Sequence, residues 1–111
     1  MAFDAKLVMK DKVAMITLSG SLDASSAPSF KEIIEQAAVQ SPPRLVLLMN
    51  DLEFLASAGL RVLIFAKQKM GAVVDIYVVG SQGPVLGTLE MSGFHHSVYL
   101  TSSEDRDLFC W

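Results

Sequence analysis

Residues 44 to 50 read "RLVLLMN", an apolar run of strand length with none of the alternation that a half-exposed strand shows. Such a run belongs to a strand covered on both faces or lying in the middle of a parallel sheet. A parallel sheet needs helices between its strands, so the flanking sequence has to provide them.

It does so on both sides. Upstream, Phe30, Ile33, Ile34, Ala37 and Ala38 fall at i, i+3, i+4, i+7 and i+8, one apolar helical stripe. Ser25 or Ser26 is placed to cap that helix, and Pro28 is tolerated in its first turn. Downstream, Ser57 opens a second helix that runs to Met70 and stops at Gly71, with Lys67 and Lys69 in its last turn, where the helix dipole favours cations. "AVVDIYVVG" is the next strand, "QGPVLGTLEMSG" a short third helix and "HSVYL" a last short strand. Thr101 and Glu104 then show capping-box spacing at the start of "TSSEDRDLFCW", a fourth helix. At the N-terminus, "AKLVMK" and "VAMITLSG" flank the charged turn Asp11-Lys12 and form a hairpin. The pattern predicts one α/β domain over residues 1–111, an N-terminal hairpin followed by four β-α units. Right-handed crossovers on a mainly parallel sheet place the helices chiefly on one face.

Composition narrows the function. A chain that is 51% hydrophobic and 19% charged is well clear of the disordered class. A net charge of −3 without like-charge runs leaves no electrostatic footprint for nucleic acid. The one cysteine, Cys110, excludes an internal disulfide and fits a reducing compartment. Arg61 and Lys67 interrupt the longest apolar stretch, below the roughly 18 residues of a membrane span. "MAFDAKLVMKDK" lacks the form of a signal peptide, so the sequence reads as cytosolic, with no direct membrane insertion. "QSPPR" is a loop, and no interdomain linker or repeat is visible.

Catalytic arrangements are missing. "GSLDAS" and "GPVLG" lack the glycine and lysine spacing of a phosphate loop or dinucleotide fingerprint, so no cofactor is implied. "ASAGL" has Leu55 where a nucleophile elbow needs glycine. His95 and His96, adjacent in an extended segment, point to different sides and do not share a metal. The expectation is a protein that is not an enzyme. Ser57 itself has a structural explanation as an N-cap, with Ala56, Ala58 and Gly59 permitting a tight strand-to-helix turn.

"SGSLDASSAPSFKEII", followed about thirty residues later by "LVLLMNDLEFLASAGLRVLI", resembles the STAS domain of bacterial anti-sigma-factor antagonists over essentially the whole chain. Gly20, Leu22 and Asp23 match that family's Gly-x-Leu-Asp strand end. Ala56-Ser57-Ala58-Gly59-Leu60 matches its Asp-Ser-[Ser/Thr/Ala]-Gly-[Leu/Ile/Val] motif, except that Ala56 replaces the usual acid. The resemblance implies a phospho-switch. A partner that is both anti-sigma factor and histidine-kinase-like serine kinase phosphorylates the motif serine, here Ser57, and the antagonist lets go. A serine phosphatase resets it. Asp23, Ser57, Ala58 and Gly59 are the partner-binding residues that this resemblance suggests.

Physical chemistry supports a switch at this position. A helix N-terminus tolerates a phosphate, by about 0.3 to 1 kcal/mol at the surface. Phosphorylation adds nearly two negative charges near Asp51 and Glu53, which blocks docking by repulsion and desolvation. Spacing alone adds Arg61, one helical turn beyond Ser57, as a residue able to reach a phosphoserine. Strands 13–19 and 45–49, if neighbours, bring Asp23 and Ser57 to one edge, although Asp23 is equally suited to capping. Leu60, Val62, Leu63, Ile64, Phe65 and Ala66 exceed a single buried stripe and leave Ser57, Arg61 and Gln68 as a narrow polar line, a pattern shared by partner-binding and by tightly covered helices. Two other functions fit the fold: a soluble STAS subunit regulating a membrane transporter or lipid-trafficking complex, and a sensor of a nucleotide or other small ligand.

Overall fold

The computed structural model describes residues 3–10, 13–40, 42–70, 74–81 and 83–101. Strands β1 (Asp4–Lys10), β2 (Val13–Leu22), β3 (Arg44–Leu55), β4 (Asp75–Val79) and β5 (Tyr99–Thr101) lie in that order in one sheet. β1 runs antiparallel to β2, and every later pair is parallel. Helices α1 (Ala27–Val39), α2 (Ser57–Met70) and α3 (Gly83–Ser92) fill the connections, and a 3-10 turn, Phe94–His96, precedes β5. The hairpin turn at Asp11-Lys12, the stop at Gly71, Cys110 and the expected fourth helix fall outside the described residues.

Strand alternation divides the sheet into two unequal faces. Ala14, Ile16 and Leu18 of β2, Leu45, Leu47 and Met49 of β3, and Ile76 and Val78 of β4 share one core with Phe30 and Ile34 of α1, Leu63 and Ala66 of α2, and Val85 and Leu89 of α3. All three helices therefore pack on this face. Phe30 is wholly buried there, which stabilises the fold by roughly 1.5–3 kcal/mol. The opposite face gathers Val13, Val46 and Val79, with Met15, Leu48 and Tyr77 packed around them.

β2 and β3 run past the ends expected from their apolar cores. Residues 51–55, acidic and apolar by turns, continue β3 as strand instead of forming a loop. Their pairing holds because β2 also lengthens, through Gly20 to Leu22, with register shifts between Thr17 and Ser19 and between Gly20 and Ser21. Gly20 takes φ +82° at this irregular stretch, a left-handed conformation that suits glycine, which accounts for the glycine of the Gly-x-Leu-Asp motif. The last strand is shorter than "HSVYL", because His95 and His96 lie in the 3-10 turn. Their rings face each other, centroids 3.9 Å apart, and not opposite sides of an extended segment. A helical turn keeps neighbouring side chains on adjoining directions where a strand would separate them. Among the described residues no helix is long and apolar enough to cross a membrane.

Candidate functional site

Parallel strands deliver the segments that follow them to the same edge of the sheet, and β2 and β3 do so side by side. Leu22 pairs with Leu55 at their ends, and the Ala56 N–H donates to the Leu22 carbonyl at 2.8 Å. One hydrogen bond thus joins the two motifs, and Asp23 and Ser57 each follow one of its partners.

Gly59 explains how closely they fit. A Cβ at this position would stand 2.5 Å from Leu22 Cγ and 2.9 Å from Leu55 Cδ1, both on buried side chains. Only a residue without a side chain lets the first turn of α2 settle on the strand ends. Ala58 is half-buried against the same core. Ala58 and Gly59 therefore turn inward and set the position of the helix, while Ser57 and Arg61 are exposed.

Ser57 is not the N-cap. The Leu60 N–H donates to the Ala56 carbonyl at 3.0 Å, which makes Ala56 the cap and Ser57 the first helical residue. The helix starts at Ser57, one residue earlier than a capping serine requires, with Ala56 alone between it and the end of β3. Among the described residues the Ser57 hydroxyl has no hydrogen-bond partner. It stands in solvent at the positive end of α2.

Asp23 organises the neighbouring turn. Its Oδ1 accepts from the Ser25 hydroxyl at 2.7 Å, the Ser25 N–H at 3.0 Å and the Ser26 N–H at 3.2 Å. The Ser25 hydroxyl above all, followed by the two amides and working against a desolvation contribution, holds the carboxyl below its ordinary value of 3.8. Ser26 occupies the N-cap of α1 without capping through its side chain. Its hydroxyl accepts from the Asp23 N–H at 2.9 Å and donates back to the Ser21 carbonyl at 3.0 Å. Neither serine hydroxyl caps the helix, because that of Ser25 is spent on the Asp23 carboxylate and that of Ser26 on the Asp23 N–H and the Ser21 carbonyl. Asp23 stands at the edge that also carries Ser57, and its carboxylate orders the turn before α1 without capping the helix, whose N-cap is Ser26.

Phe54 escaped the sequence reading. It is 47% exposed at the end of β3, paired with Ser21 and flanked by exposed Asp51 and Glu53. A signal was present: Leu52 and Leu55, both buried, are three residues apart in a strand, so the alternation slips and Phe54 turns outward. Thr88 of α3 donates to the Leu55 carbonyl at 3.2 Å and fastens the third helix to the same strand end. Among the described residues no three His, Cys, Asp or Glu gather into a metal-binding group.

The sequence profile of the STAS domain matches residues 4–106. The chain belongs to the STAS domain family. This STAS domain is 28% identical over 91 residues to the anti-sigma-F factor antagonist RsfB of Mycobacterium tuberculosis, covering 82% of the chain and 75% of that protein. Its fold matches the crystal structure of an anti-sigma factor antagonist from Mycobacterium paratuberculosis with a TM-score of 0.88, at 26% identity, over 98% of this chain and 93% of the other. The phosphorylated form of the Bacillus cell fate determinant SpoIIAA has the same fold, with a TM-score of 0.71 at 17% identity over 99% of this chain and all of its own.

Proposed function

We propose that this STAS domain is a non-enzymatic, cytoplasmic phospho-switch that antagonises an anti-sigma factor. In its unphosphorylated form the edge around Ser57 binds a kinase-type anti-sigma factor. Transfer of a phosphoryl group to the Ser57 hydroxyl ends the complex, and a serine phosphatase restores it. Asp23, Ser57 and Arg61 contribute surface to the partner, and Ala58 and Gly59 hold that surface in place.

The observation that carries this reading is the free, exposed Ser57 hydroxyl on the first turn of α2, bonded through its neighbour to the strand that leads into Asp23. A serine used for its structure would spend its hydroxyl on a backbone amide. One left in solvent at a helix N-terminus is open to a kinase, and the fold tolerates the phosphate it would receive. The likeness to antagonists of anti-sigma factors supplies the class of partner. Near Ser57 the carboxylates of Asp23, Asp51 and Glu53 already make the edge acidic, so a phosphate dianion raises the cost of docking by like-charge repulsion.

A small-ligand sensor finds less support. A cavity of about 730 Å³ lined by Glu35, Ala38, Pro42, Pro43, Lys69 and Met70 lies where α1 and α2 end and β3 begins, at the edge of the sheet away from Ser57. Incubation of the chain with candidate kinase-type anti-sigma factors and ATP, followed by mass spectrometry, tests the proposal. Phosphate on Ser57 is the expected result. Co-purification with a transporter subunit and no phosphate on Ser57 would favour the transport reading instead.

A further inference from the structure

The sheet ends on one side at β1, and among the described residues no strand pairs with the free edge of that strand. Every second residue of an edge strand turns its N–H and C=O away from the sheet, which makes the edge a template for another strand. Proteins blunt such edges by keeping them short, by a bulge or by proline. β1 has none of these: its seven residues pair with β2 without a register shift, and "DAKLVMK" contains no proline. Lysine is the remaining guard, and Lys6 and Lys10 are placed for it, yet Val8 and Met9 stand exposed between them.

We infer that β1 pairs with β1 of a second copy, antiparallel about a two-fold axis through Leu7, so that two five-stranded sheets join into one. Geometry restricts the register. A two-fold axis between antiparallel edge strands stands perpendicular to the sheet and keeps the helix-bearing faces of both copies on the same side. Residues on one face must then meet residues on the same face, and outward N–H and C=O groups must meet outward ones. Position i therefore faces position j only when both are even or both odd. Centred on Leu7, all seven residues find a partner: Asp4 faces Lys10 of the second copy, Ala5 faces Met9, Lys6 faces Val8 and Leu7 faces its own equivalent. The neighbouring allowed registers pair only five residues and set Lys6 against Lys6 or against Lys10. Like charges directly opposite each other destabilise a ladder, so the charges select the register that uses the whole strand.

The two faces of the joined ladder are each self-complementary. Ala5, Leu7 and Met9 make a continuous apolar row on the face where Ala5 and Leu7 already pack against the core. On the other face Asp4 and Lys10 meet at both ends, and the aliphatic stem of Lys6 lies along Val8. A single copy gives these charges no opposite partner on β2, where Asp4 faces Ser19 and Lys10 faces Val13. Nor can they reach each other, since they lie about 20 Å apart along the strand. Because the paired strands run in opposite directions, the two Ser57 edges come to opposite ends of the joined sheet, and each is left open. The inference holds whatever Ser57 does.

Sedimentation equilibrium of the full chain over a wide range of concentration tests this, with a thiol reductant present to keep Cys110 from cross-linking copies. The wild-type chain should show a reversible monomer–dimer equilibrium whose dissociation constant rises with salt. Lys10→Asp and Asp4→Lys each place like charges at both ends of the ladder and should raise that constant about tenfold or more, with unchanged far-ultraviolet circular dichroism. Two combinations should restore it: the double variant Asp4→Lys, Lys10→Asp, and an equimolar mixture of the two single variants, which pair with each other and not with themselves. Neither rescue can arise within one copy, because the two positions are too far apart on the strand. A chain that stays monomeric at every concentration would overturn the inference. So would a dimer that the single variants leave intact or that neither combination restores. A monomer whose complex with a kinase-type anti-sigma factor is weakened by Lys10→Asp would likewise overturn it, by assigning the edge to that partner.

Discussion

Asp23 and Arg61 make opposite contributions to the edge, and each can be isolated by titration. The Asp23 carboxyl is held below 3.8 by the Ser25 hydroxyl and the Ser25 and Ser26 amides. Its folded value is therefore lower than its unfolded one. The order it gives the turn before α1 is complete above the ordinary carboxylate range and is lost as pH falls through the depressed value. Carbon-detected NMR of the Asp23 side chain should give a midpoint below 3.8, moving upward in Ser25→Ala. A midpoint that Ser25→Ala leaves in place would contradict the assignment of the Ser25 hydroxyl as the main cause. Arg61 is exposed one turn beyond Ser57, and the proposed switch gives it a part only in the modified form. If its guanidinium reaches a phosphate on Ser57 it favours the dianion, so Arg61→Ala should raise the second pKa of phospho-Ser57 in a phosphorus NMR titration. An unchanged curve would remove Arg61 from the switch. The motif residues were legible in the sequence because their types are restrictive. Their local roles were not: whether serine caps or stands free depends on where the first helical hydrogen bond forms, and the Ala56 carbonyl that accepts it is set by the length of β3.

Among the elements, the junction of β3 and α2 sets the geometry of the site. An apolar stripe specified α1, and the residues that bound them specified α2 and α3; each buries one side of a helix against the sheet. Strand ends were harder to read. Asp51 and Glu53 look like loop residues, yet they continue β3 because their exposed side chains need no cover and their backbone pairs with β2. The slip in alternation that allows this also turns Phe54 outward. Gly59 then makes the closest approach. In an ordinary helix Gly→Ala stabilises by roughly 0.5–1 kcal/mol, whereas overpacking a core costs about 1–3 kcal/mol. With Leu22 and Leu55 both buried against the new methyl group, overpacking prevails. Gly59→Ala should lower stability by about 1 kcal/mol in urea unfolding and shift the amide resonances of residues 22–25 as well as those of α2. A gain in stability would mean that α2 does not rest on the strand ends as closely as the structure places it.

At the scale of the molecule, a mainly parallel sheet with its helices on one face brings two loops to one edge and keeps them there regardless of what is attached to Ser57. On the proposed function the domain is a rigid frame whose surface charge changes. This sets the expected energetics of variants. Because Ser57 caps nothing, Ser57→Ala should alter stability by no more than about 0.5 kcal/mol, as for an ordinary surface substitution. Ser57→Asp should fold equally well, since a carboxylate is favoured in the first turn of a helix. The difference between them should appear only on contact with the partner. Titration calorimetry of the kinase-type anti-sigma factor against wild-type chain, Ser57→Ala and chain phosphorylated on Ser57 is the most direct measurement of the central claim. The account predicts equal affinity for the first two and a loss of about tenfold or more for the third, which corresponds to about 1.4 kcal/mol or more. Equal affinity for all three would contradict it and leave Ser57 a solvent-exposed residue without a part in switching.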